Sequence, residues 1–281
     1  MGYGLAGMTK SGALTLLALA ASAVGAAAQL RPPEPLDWEV FAPGTSGLAH
    51  LGAALLQGQR ASLAGTEGPL LELGNFAVLA RSGRVALEVS GTLVRRLDDR
   101  SRWADTAFGA TPGLRRRVDA GDLRIATAVR LSRARSPLLA VLHFGARLPT
   151  TANTRGLDRG ETDFLGTLAL GWQRGALLAG VESGIGILGT RIPEFEQQDD
   201  WIYSARVAYR VGAFQPVATF TGQTSPLRYR RIRGNEDLRE LRLGIRAGGR
   251  RWLEAQWVHG LLPFSPRSGV LLSAGAAFPV R

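Results

Sequence analysis

The chain has 281 residues and a formal charge of +11, with 45% hydrophobic residues, 36 glycines and no cysteine. The apolar fraction excludes a chain disordered by composition. The missing thiols exclude a disulfide scaffold, thiolate catalysis and zinc–thiolate or iron–sulfur sites. Lys10 is the only lysine, so arginine supplies every other cation.

The N-terminus reads as an export signal. Lys10 precedes a short apolar run, Ala13 to Ala23, and Ala26 and Ala28 form an A-x-A site before Gln29. A basic start, an apolar stretch and small residues at its end mark a cleavable secretory signal over residues 1–28. Met8 offers a second, more conventional start. The run is shorter than the roughly 20 residues a membrane-spanning helix needs. Residues 29–46 are Pro-rich and non-periodic, and read as a periplasmic leader segment, with entry into a barrel mouth one option.

Residues 47–281 alternate in polarity with a period of two, the mark of strands. Twelve candidates follow in order: 47–57, 69–80, 84–96, 120–133, 137–148, 162–173, 176–188, 201–211, 214–225, 238–248, 251–260 and 268–280. Their connections sort strictly. Short turns fall at Arg81-Ser82-Gly83, Ala134-Arg135-Ser136, Arg174-Gly175, Gly212-Ala213 and Gly249-Arg250. Longer loops fall at 58–68, 97–119, 149–161, 189–200, 226–237 and 261–267. Short turns at one rim and long loops at the other predict an all-β fold, a single antiparallel transmembrane β-barrel.

Each strand has a polar and an apolar face. Asp163, Thr167 and Ala169 oppose Phe164, Leu168 and Leu170; Arg206 and Arg210 oppose Val207 and Tyr209; Glu240, Arg242 and Arg246 oppose Leu241, Leu243 and Ile245. Alternation alone does not say which face points outward. Size, loop sorting and aromatics favour the apolar one. Trp172, Tyr209, Phe214 and Trp252 flank short turns, and Phe164, Trp201 and Trp257 lie nearer long loops, as two interfacial girdles require.

Three further stretches carry a resemblance. Gly121-Asp122-Leu123 opens a strand, Arg147-Leu148-Pro149-Thr150 closes the next, and Gly156-Leu157-Asp158-Arg159-Gly160-Glu161-Thr162-Asp163-Phe164 leads into a third. This resembles outer-membrane barrels of the meta-pathway phenol-degradation type, over about residues 118–188. Arg147 stands where their pattern has lysine, and the chain ends Phe278-Pro279-Val280-Arg281 without a terminal aromatic. Such families are described as transporters, so the resemblance implies a location in the outer membrane better than it implies a substrate.

The expected function is a passive channel for a small solute, hydrophobic or aromatic ones among the candidates, without cofactor or metal. Arg147, Asp163, Glu182, Arg206 and Arg242 are the expected lumen-lining, solute-binding residues. The inward charges nearly balance, so a closed, salt-bridged interior is the alternative. Arg115, Arg116 and Arg117 in one long loop, and Arg230 and Arg231 in another, are expected to face lipopolysaccharide phosphates. The expected partners are outer-membrane lipid, the barrel-assembly machinery and the solute, with no nucleic acid. A rim hydrolase would need His143 or His259 near a Ser or Asp partner, and no catalytic residue is assigned.

Overall fold

The computed structural model describes residues 30–102, 115–133, 136–149, 155–157, 160–192, 195–225 and 236–279. The expected signal peptide lies outside them. The strands, in chain order, are β1 (Thr45–Ala61), β2 (Thr66–Ser82), β3 (Val85–Asp98), β4 (Ser101–Arg102), β5 (Arg116–Asp119), β6 (Leu123–Arg130) and β7 (Leu138–Leu148). They continue as β8 (Asp163–Arg174), β9 (Leu177–Ile192), β10 (Phe195–Tyr209), β11 (Phe214–Thr224), β12 (Leu238–Gly248), β13 (Arg251–Gly260) and β14 (Ser268–Pro279). All pairings are antiparallel, and β14 pairs back onto β1.

Twelve strands make the closed wall, because β5 and β6 are one strand interrupted around Gly121, both pairing with β3, and β4 is a short rim extension of β2. Closure of β14 onto β1 pairs each of the twelve wall strands on both sides among the described residues, the condition for crossing a bilayer without helices.

Burial is inverted relative to a water-soluble barrel. The wall's inner side chains include buried Glu72, Glu88, Arg95, Asp163, Glu182, Glu240, Arg242, Arg246 and Glu254. Its outer face presents Leu55, Leu170, Val181, Ile185, Leu243, Leu253 and Leu272, all exposed. Transferring those leucines and isoleucines into hydrocarbon is favourable; leaving them in water is not. The apolar face therefore points outward.

Two loops are shorter than the sequence predicts. β1 runs to Ala61 and β2 starts at Thr66, so most of 58–68 is strand. β9 runs to Ile192 and β10 starts at Phe195, so most of 189–200 is strand. The hairpins continue past the apolar band, where backbone pairing persists but hydrophobic alternation stops. Trp252 is a second correction. It is 5% exposed, faces inward and carries the Arg246 guanidinium 4.0 Å from its ring centroid. The remaining girdle aromatics, Phe164, Trp172, Trp201, Tyr209, Phe214 and Trp257, are exposed on the outer face.

The leader segment lies inside the barrel. Leu30 packs with Leu56, Leu70, Leu97 and Leu157 toward the long-loop end. Leu36, Trp38, Val40 and Phe41 pack with Leu79, Val141, Leu178 and Val217 toward the short turns. The chain thus threads the lumen before turning at Gly44, whose φ of +76° suits glycine, into β1.

Candidate functional site: the lumen

The segment is held by three kinds of contact. Arg31 makes a two-point fork onto Glu240, Nε–Oε1 at 3.0 Å and Nη2–Oε2 at 2.8 Å, and lies 3.5 Å from Glu72. Fork geometry suits guanidinium and carboxylate and is stronger than a neutral hydrogen bond. The Leu36 amide donates to Glu182 Oε2 at 2.9 Å. Lower down, Trp38 lies across Gly171 and Gly180, which face each other on β8 and β9. A Cβ on either glycine would come within 2.7 Å of the indole, so the paired glycines form the seat of the ring.

Charges on the segment meet charges on the wall. Glu34 takes Arg242 Nη1 at 2.6 Å, and Glu39 takes Arg246 Nη1 at 2.7 Å. Enclosure opposes ionisation of Glu34, but Arg242 and Arg31 outweigh it and hold its carboxyl at about 2. Enclosure opposes ionisation of Asp37 too, and Arg206 and Arg246 draw it below its ordinary range.

Two cavities flank the segment among the described residues. The upper, about 270 Å³, lies between residues 31–37 and the wall, and its lining includes Arg124, Arg147, Arg206, Thr219 and Arg242. The lower, about 250 Å³, lies between Glu39 to Thr45 and the short-turn rim, where Arg210 and Gln215 face it. The cluster of Trp38, Val40 and Phe41 separates them.

The sequence-expected lumen residues all point inward, with different commitments. Arg147 pairs with Asp122 at 3.2 Å and with Asp163, whose other oxygen accepts the Gly189 amide at 3.0 Å. The three stretches that carry the family resemblance thus converge on one ion cluster across β6, β7 and β8. Asp163 is fully buried within it, a cross-link of the wall. Glu182 is committed to the Leu36 amide and to His143 Nδ1 at 2.8 Å. Arg242 is shared between Glu34 and Glu240. Arg206 stands apart: among the described residues it has no ion-pair or hydrogen-bond partner, and its Nε is buried.

His143, a rim-hydrolase candidate by sequence, is buried on the inner face between Glu182 and Glu88, 3.7 Å away, with Arg124 Nη2 3.0 Å from its Nε2. His259 stacks on the exposed Trp257 at 5.4 Å. Asp200 is buried on the inner side, so the wall separates it from His259. Asp199 is outward, with β11 and β12 between it and His259.

The loop arginines divide. Arg115 and Arg116 are exposed at the long-loop rim, Arg116 pairing with Asp98 at 3.0 Å. Arg117, expected to face lipopolysaccharide, is 1% exposed, and its Nη1 donates to the Arg155 carbonyl at 2.8 Å. It lies on strand β5, whose alternation turns it inward. Arg230 and Arg231 lie outside the described residues. Sequence reasoning missed the roles of Arg31, Glu34 and Trp38, because nothing in a Pro-rich leader indicates what it packs against. The Gly171 and Gly180 pair was the available signal, readable only once β8 and β9 are in register.

An outer-membrane channel of Pseudomonas putida F1 superposes on this chain with a TM-score of 0.61 at 15% identity, covering 88% of this chain and 100% of that one. The NanC porin superposes with a TM-score of 0.52 at 8% identity, covering 83% and 100%. At such identities the likeness establishes the fold. No family model matches the sequence, and no curated protein matches it.

Proposed function

We propose that this chain is a passive outer-membrane channel for a small solute, with its own N-terminal segment as the constriction. One observation carries the reading: two cavities, each lined by arginine, lie along the segment within a closed, apolar-faced barrel, separated by the cluster around residues 38–41. The outer-membrane channel it superposes on supports the same reading. So does the resemblance to meta-pathway phenol-degradation-type barrels, whose motif residues meet at Arg147. A lining of arginines and carboxylates favours a polar or charged solute over a hydrophobic or aromatic one. No cofactor takes part; the solute exchanges hydrogen bonds with the wall and diffuses. Exposed Arg115 and Arg116 are the groups we assign to lipopolysaccharide phosphate.

The near-complete pairing of lumen charges favours a second reading, a closed structural barrel. Liposome swelling separates the two. The protein is first shown to be a folded barrel in washed outer membranes by a band that shifts on boiling. Swelling in small polar solutes supports the channel. A folded barrel that leaves liposomes impermeable supports the closed one, and release into the soluble periplasmic fraction overturns both.

A further inference from the structure

Most lumen cations are committed. Arg31 is held by Glu240, Arg95 by Glu72, Arg147 by Asp122 and Asp163, and Arg246 by Glu254 and Glu39. Arg206 has no such partner among the described residues, although it faces the upper cavity. Its guanidinium carries a charge that no described carboxylate contacts, so an oxygen entering the cavity can pair with it.

Its neighbours complete a pattern. Arg206 on β10 is directly opposite Thr219 on β11, and Thr219 is directly opposite Arg242 on β12. The three side chains stand in one row across adjacent strands, and all line the same cavity. Two inter-strand steps place the two arginine backbones roughly 10 Å apart. Arg242 keeps one nitrogen, Nη2, buried without a hydrogen bond. Gly180, the β9 residue opposite Arg206, adds no side chain of its own, and the Trp38 indole seated on it bounds the row on that side. A hydroxyl flanked by two guanidiniums is suited to an anionic oxygen pair.

The segment shows which anion. Glu34 already places a carboxylate on Arg242, and the charge of Asp37 is drawn to Arg206 without reaching contact distance. The other carboxylates around the cavity are engaged: Glu72 with Arg95, Glu88 with Ser90 at 2.8 Å, Asp122 with Arg147 and Glu254 with Arg246. An entering carboxylate therefore meets one arginine whose charge no contact neutralises.

We propose that Arg206, with Thr219 and Arg242, forms a subsite for the carboxylate of a small organic acid, which binds there on its way through the lumen. The chemistry stands on the geometry of these three residues; its use in transport rests on the channel reading above.

The test is calorimetric titration of succinate into the detergent-solubilised full chain, with the neutral isostere succinamide as control. Succinate binds, succinamide does not, and Arg206→Gln weakens succinate by at least about tenfold, the loss of one charge-assisted hydrogen bond. Arg206 holds no wall partner, so the variant keeps its boiling shift. Should it fail to fold, Arg206→Lys, which keeps the charge but loses the planar fork, weakens succinate in the same direction. Absence of succinate binding, equal binding by a folded Arg206 variant, or equal binding of succinamide overturns the proposal. Succinate binding by a barrel that leaves liposomes impermeable retains the subsite and removes the channel; permeability without succinate binding does the reverse.

Discussion

Arg31 and Glu240 are 209 residues apart in sequence and joined by two hydrogen bonds inside the barrel. Glu240 is fully buried and also accepts Arg242 Nε at 2.9 Å, so the fork ties the leader segment to the wall through a shared carboxylate. Removing one partner of such a pair leaves a buried charge partly uncompensated, which costs about 3 kcal/mol. Arg31→Ala is expected to lower the urea midpoint of the folded barrel in lipid and to expose the segment to protease. An unchanged midpoint and unchanged protection would remove Arg31 as an anchor.

Trp38 makes the second anchor steric. Gly180→Val would place side-chain carbon where the indole lies, since a Cβ alone comes within 2.7 Å of it. The ring must leave its seat, and the barrier between the two cavities opens. The expected result is higher unit conductance with the boiling shift retained. Gly166→Val is the control, because no atom lies within 4 Å of a Cβ there.

Acid should loosen the same segment. The Glu34 carboxyl titrates at about 2 in the folded chain against an ordinary 4.5, so its contribution is complete above pH 4.5 and is lost as pH falls through 2. Between those values Glu34 still holds Arg242 where a free carboxyl would already be protonated. Tryptophan fluorescence of the segment should change as pH falls towards 2, and Glu34→Gln should show that change already at neutral pH. Identical acid profiles for the two proteins would exclude Glu34 as the titrating anchor.

Lipid-facing positions respond differently from lumen ones. Leu170→Arg or Leu243→Arg puts a charge on the apolar band and should destabilise the barrel by about 2–4 kcal/mol if near the bilayer midplane. Thr221→Ser, on the inner face, should be nearly neutral. Equal sensitivity to these changes by urea unfolding would contradict the outward assignment of the apolar face.

The wall was largely legible because a barrel strand writes its two environments into alternate residues. Asp163–Phe164, Thr167–Leu168 and Ala169–Leu170 show this, an inward polar or small residue followed by an outward apolar one, with Leu165–Gly166 the exception. Legibility fails where the backbone breaks the period. Gly74, at φ +70°, inserts an extra residue between Leu73 and Asn75 opposite β1, so Glu72 and Asn75 both line the cavity although their spacing is odd. Trp252 looked like a girdle residue by position alone. Its inward turn is matched by Gly275, directly opposite, where a Cβ would come within 2.2 Å of the indole. The site was half legible. Inward arginines follow from parity, but their division into paired and unpaired depends on the leader, whose contacts are non-local and leave no periodic trace.

Single-channel current through the full chain in planar bilayers is to be compared with that through Arg31→Ala/Trp38→Gly, which removes both anchors of the segment. A segment that narrows the lumen gives small unitary steps for the unaltered chain and larger ones for the variant, at equal boiling shift. Folded protein that shows no steps in either form, or the same steps in both, would contradict a lumen gated by its own N-terminal segment.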